Sequence, residues 1–195
     1  MVQPMRPAWL SPTPLRLCDD MTRIEVDIPE GTSGEYSIEI GSDALYGRAK
    51  PDEYDSYTLL YRNGEQRLLL MLNSESEYEE HQWLWDRMKG DILIAGLGIG
   101  MVNEMLVESD DVISVTIIEK EQDVVDLVWE HCAKDDRFTL IVADIETWDM
   151  PEGSHWDVGW LDTWIDTNTL NKKEYRLLMK ERYGTYCDEM ACWEI

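Results

Sequence analysis

The stretch DILIAGLGIGMVNEMLVES, Asp91 to Ser109, constrains the fold more than any other part of the chain. DILIAG is a short apolar run of the kind that fills a strand covered on both faces, and MVNEMLVES has the make-up of a helix. Between them, Gly96, Gly98 and Gly100 form a turn. Glycine reaches backbone conformations closed to other residues, and it lets a ligand come close to the main chain and to a helix N-terminus.

The text after this turn repeats the alternation. VISVTIIE reads as a second buried strand, and KEQDVVDLVWEHCAK carries Val124, Val125, Leu127, Val128 and Cys132 in positions that suit a helix covering a sheet. FTLIVAD is a third strand, and DVGWLD a fourth after the turn Pro151-Glu152-Gly153. Strands alternating with helices predict the α/β class, as a Rossmann-like parallel sheet with right-handed crossovers. Toward the C-terminus, NKKEYRLLMKERYG reads as a helix ended by Gly184, and TYCDEMACWEI can supply one last strand.

The spacing separates ligands. A dinucleotide fingerprint, G-x-G-x-x-G, needs its third glycine at position 101, which is Met101, whereas G-x-G-x-G suits S-adenosylmethionine. Glu119 ends the second strand, where a carboxylate can accept hydrogen bonds from both ribose hydroxyls. Asp144 ends the third, where it can accept from an adenine amino group. The cofactor expectation is S-adenosylmethionine or decarboxylated S-adenosylmethionine, with Gly96, Gly98, Gly100, Glu119 and Asp144 as its binding residues. The bland alternative keeps the glycines as packing residues and the two acids as solvated strand ends.

The region before the turn reads differently. Residues 1–21 hold four of the seven prolines and little periodicity, which predicts an irregular arm. Residues 22–73 read as a β-hairpin region: TRIEVDI and YSIEI alternate, and YTLLYR and QRLLLML flank Asn63-Gly64. Glu75 to Met88 then suit a helix, with Tyr78, Gln82 and Trp85 on one side and Ser74 or Ser76 as N-cap. Residues 74–195 are expected to form the Rossmann-like unit.

A formal net charge of -24, from 41 acidic and 17 basic residues, argues against nucleic acid and favours a small, cationic molecule as substrate. Most of that charge suits a solvated surface. The longest apolar run, Ile92 to Val102, is too short for a membrane span and holds three glycines. Cys18, Cys132, Cys187 and Cys192 lack Cys-x-x-Cys spacing, His81, His131 and His155 are dispersed, and no metal site is legible. The prolines near the N-terminus interrupt any signal-peptide core, so a reducing, cytoplasmic setting is expected.

On these residues the stretch Tyr57 to Trp164 resembles the class I methyltransferases and, within them, the spermidine synthase group. The family's G-G-G-D-G-G motif is matched by G-L-G-I-G-M, so that Gly96, Gly98 and Gly100 carry over and Ile99 stands where the family has an acid. The resemblance makes Glu119 the ribose-binding acid, Asp144 the adenine-binding acid, and Asp162 in GWLDTW the first acid of the D-S-[ST]-D catalytic segment. Ile165 falls at that segment's second acid, and Asp166 lies one position late. It also implies a C-terminally shortened fold, because few residues remain for a fifth strand and an antiparallel pair. The edge so left is expected to be covered by the N-terminal hairpins or by another subunit, which predicts a homo-oligomer in the second case.

Alkyl transfer from a sulfonium needs alignment and an acceptor for any proton the nucleophile loses. Asp162 and, less centrally, Asp166 are the candidate catalytic residues, with a turn cap as the alternative role for Asp162. Tyr78, Glu80 and His81 lie on the helix that the resemblance puts near the site mouth, and Trp148, Trp156, Trp160 and Trp164 can stack on adenine or fill the core. The leading functional expectation is a sulfonium-dependent transferase acting on a small acceptor. Cleavage of the sulfonium nucleoside without an acceptor, and a non-catalytic sensor or interaction domain, stand as alternatives.

Overall fold

The computed structural model describes residues 23–41, 56–163 and 169–193. Its centre is a sheet of strands β5 (Gly90–Ala95), β6 (Val112–Glu119), β7 (Phe138–Val142), β8 (Trp156–Leu161) and β9 (Cys187–Cys192). Their spatial order is β7-β6-β5-β8-β9, and every neighbouring pair is parallel. The chain therefore runs outward from β5 to one edge, returns, and builds the other half from β8, which is the doubly wound α/β plan. The fifth strand is present as β9. No antiparallel pair closes this sheet among the described residues.

Period-two geometry explains why the strands are apolar throughout. Along β5, Ile92 and Ile94 enter one apolar cluster and Leu93 and Ala95 enter another, all at 0 or 1% exposure. The first cluster includes residues of α3 (Met101–Val107) and α4 (Gln122–Val128), and the second takes Met179 and Tyr183 from α5 (Thr169–Tyr183). Full burial of side chains this size stabilises by roughly 1.5–3 kcal/mol each. Arg137 ties the base of the sheet, donating to the carbonyls of Val107, Ser109 and Val112 at the end of α3 and the start of β6.

A second, antiparallel sheet runs β1 (Gly31–Ser33), β2 (Tyr36–Gly41), β3 (Tyr57–Asn63) and β4 (Arg67–Leu72) in chain order. It docks on α4: Gly31 lies against Leu127, and Ser33 donates to Asp123 at 2.8 Å. Ile24, Ile28, Tyr36, Ile38 and Leu60 join the same cluster as Ile92 and Ile94, so the two sheets share a core.

Three local expectations are corrected. The described part of TRIEVDI, residues 23–28, is not a strand, although Ile24 and Ile28 are buried and Glu25 and Asp27 exposed. Its alternation reflects docking through single contacts, such as Asn73 Nδ2 donating to the Ile24 carbonyl, without a paired ladder. The β3–β4 connection is residues 64–66, with Asn63 still paired to Arg67, so the hairpin exists without a two-residue Asn-Gly loop. Finally, the helix expected over Glu75 to Met88 is two short ones, α1 (Glu75–Glu80) and α2 (Gln82–Trp85), broken at His81. At the break the His81 Nδ1 donates at 2.7 Å to the Glu77 carbonyl, the oxygen that the His81 backbone N–H would take in a continuous helix. That N–H bonds to Tyr78 instead. Ser74 is the N-cap, accepting from the Glu77 N–H.

Candidate functional site

The chain's switch point lies between β5 and β8, and in open α/β sheets ligands bind in the crevice beyond the strand C-termini at such a point. Gly96, Gly98 and Gly100 follow β5 there with φ of 97°, 54° and 70°. These are left-handed conformations that side chains strongly disfavour. Each glycine also faces protein. A Cβ on Gly96 would stand 2.0 Å from the Asp162 carbonyl oxygen, one on Gly98 2.4 Å from the Met71 sulfur, and one on Gly100 2.4 Å from Cys132 Cβ. Met71 belongs to β4, so the antiparallel sheet reaches the glycine turn at Gly98.

Glu119 ends β6 next to this turn, at 7% exposure. Its Oε2 accepts from the Leu97 N–H and its Oε1 from the Glu121 N–H, both at 2.8 Å. Burial pushes its pKa up, and the backbone donors of Glu121, Leu97 and Lys120 oppose that rise. Three backbone N–H groups act on a carboxylate with roughly four acceptor positions, which leaves room for a hydroxyl donor. Tyr36 of β2 also faces this acid and Glu121; burial first, then those charges, hold its phenol up to about 12.

Asp144 lies just past β7 and is more open. Lys120 bonds to it at 2.8 Å, and this contact is the main cause of its lowered pKa. Its Oδ1 also accepts from the Glu146 N–H.

Asp162 follows β8 and faces His81. The imidazole is 1% exposed, with Nε2 3.4 Å from Asp162 Oδ2, while the Asp162 side chain keeps 24% exposure. Trp85 stacks on the ring at 5.4 Å and Trp160 lies across it at 5.5 Å. Burial by itself lowers the His81 pKa; the hydrogen bond and charge of Asp162, with the Glu77 carbonyl and carboxylate, outweigh it and raise the value overall. The Glu77 carboxyl is pushed up to about 8 by burial first, and then by Asp162 and Glu80. Trp160's indole N–H is buried here with no acceptor among the described residues.

Asp166, Ile165 and Trp164 lie outside the described residues. Ile99 is fully buried in the first apolar cluster. Trp156 and Trp160 are core residues, and Trp148 packs on Trp156. Sequence reading did not single out Glu77 or Met71. The Glu77–His81 spacing of i, i+4 is the signal that could have found the first; nothing local marks the second.

No family model matches the chain, and no curated protein matches it. Solved structures similar in shape include a Pyrococcus horikoshii protein described as an RNA methyltransferase, 16% identical with TM-score 0.45 over 62% of this chain and 57% of that one. A protein-L-isoaspartate O-methyltransferase is 16% identical with TM-score 0.45, over 66% of this chain and 38% of that one. A spermidine synthase from Thermotoga maritima is 14% identical with TM-score 0.38, over 70% of this chain and 48% of that one. The chain thus spans little more than half of the first and well under half of the second.

Proposed function

We propose that this chain binds S-adenosylmethionine or its decarboxylated form and transfers an alkyl group from it to a small acceptor. The observation that carries the reading is the gathering, at the C-terminal ends of four adjacent parallel strands, of the glycine turn, Glu119, Asp144 and Asp162 around the switch point. Glu119 and the turn's main chain would hold the ribose, and Asp144 the adenine amino group. Free acceptor capacity on both carboxylates fits that donor-rich nucleoside. The sulfonium supplies a carbon whose bond electrons stay on sulfur as it departs, and Asp162 takes the proton that the acceptor loses on forming the new bond. The net charge of -24 favours a cationic acceptor.

Calorimetry with S-adenosylmethionine, its decarboxylated form and NAD tests this. Binding of a sulfonium compound, and not of NAD, is expected; no binding to either sulfonium compound ends the idea. A second reading, a nucleoside sensor without turnover, draws on Met71 against Gly98 and on the buried Ile99. Binding without product in the presence of amine acceptors would select it.

A further inference from the structure

His81 combines near-complete burial with polar contacts at opposite ring nitrogens, one of them to a carboxylate that stays partly open to solvent. A carbonyl oxygen only accepts, so the 2.7 Å contact with Glu77 fixes a proton on Nδ1. The 3.4 Å approach of Nε2 to Asp162 becomes an ion pair when the imidazole holds both hydrogens and Asp162 is a carboxylate. Two indoles hold the ring plane, Trp85 from α2 and Trp160 from β8. The helix break at His81 serves the same end, because it frees the Glu77 carbonyl for the ring.

We infer that His81 is a positioning residue: its buried imidazolium, anchored on the Glu77 carbonyl, holds the Asp162 carboxylate in one orientation at the end of β8. This rests on the proposed function only for the role of Asp162; the ion pair itself is a property of the ligand-free protein. When Asp162 accepts the acceptor's proton, the imidazole keeps both of its own, so the pair gains one proton and His81 passes none. The groups around the pair are Glu77 and Glu80 from α1, Tyr175 from α5 through Thr163, and Cys192 from β9. The acidic ones favour the imidazolium, and burial opposes it.

Nitrogen-15 histidine spectra of the whole chain read the pair without any ligand. Both ring nitrogens of His81 should be protonated at pH 7, and D162N should move its titration to lower pH by one unit or more. A neutral His81 at pH 7, or a titration unmoved by D162N, overturns the inference whatever the protein's activity. With turnover, H81Q should lower kcat by up to roughly a hundredfold, the size of loss that misplacing a reacting group brings, with KM for the nucleoside within about twofold. It should also erase the alkaline fall in kcat that follows loss of the His81 proton. An H81Q enzyme with wild-type kcat and the same alkaline limb overturns it too. Failure of the functional reading shows separately, as absence of sulfonium binding by the wild type.

Discussion

On the β6 side of the switch point a carboxylate is held by main-chain donors; on the β8 side it is held by one side chain. Glu119 accepts from the amides of Leu97 and Glu121, whose positions follow from the glycine turn and the strand end. Asp162 depends on His81, at the break between α1 and α2, whose ring is set by the Glu77 carbonyl and by two tryptophans. A group held by backbone is as rigid as the fold and does not titrate with its partners. A group held by imidazole is only as fixed as that ring's protonation state, and brings a pH dependence with it.

The largest expected effect lies on the backbone-held side. Glu119→Ala strips the buried Leu97 N–H and the half-buried Glu121 N–H of their acceptor and should cost roughly 2–4 kcal/mol in urea unfolding, with Glu119→Gln retaining part of it. A loss below about 0.5 kcal/mol would mean that solvent replaces the carboxylate and that the two sides do not differ. Next comes Glu77→Gln. Because the folded-state pKa is raised to about 8 from 4.5, the associated stability is complete below pH 4.5 and is lost as pH rises through about 8. Glu77→Gln should match wild type at pH 4.5 and exceed it by roughly 1–3 kcal/mol at pH 9. Equal differences at both pH values would show a solvated carboxyl and remove the pH dependence assigned to this side. The smallest effect is that of Lys120→Met. Lys120 is 59% exposed, and losing its bond to Asp144 should move the thermal midpoint by no more than about 0.5 kcal/mol's worth. A larger loss would make Asp144 a third structural anchor.

The sheet was legible because its signals are local: apolar strands of the right length, glycines between strand and helix, and acids at strand ends. The sites of Gly96, Glu119 and Asp162 followed from counting along those strands. What sequence could not carry was contact at a distance. Met71 meets Gly98 across two sheets, and nothing near either residue says so. His81 meets Asp162 where α1 ends at Glu80, and there a side-chain nitrogen takes the Glu77 carbonyl in place of a backbone amide, an exchange that helix periodicity does not encode. TRIEVDI erred the other way: its alternation correctly separated buried from exposed residues, but a strand also needs a partner.

The amide of Leu97 joins the glycine turn to the end of β6, since its proton points at Glu119 from within the turn. Buried and hydrogen-bonded, it should exchange with deuterium as slowly as the strands beside it. Any nucleoside that draws the carboxylate toward its own hydroxyls must lengthen that bond, and this one resonance would register occupancy of the crevice without a label, an assay or knowledge of the acceptor.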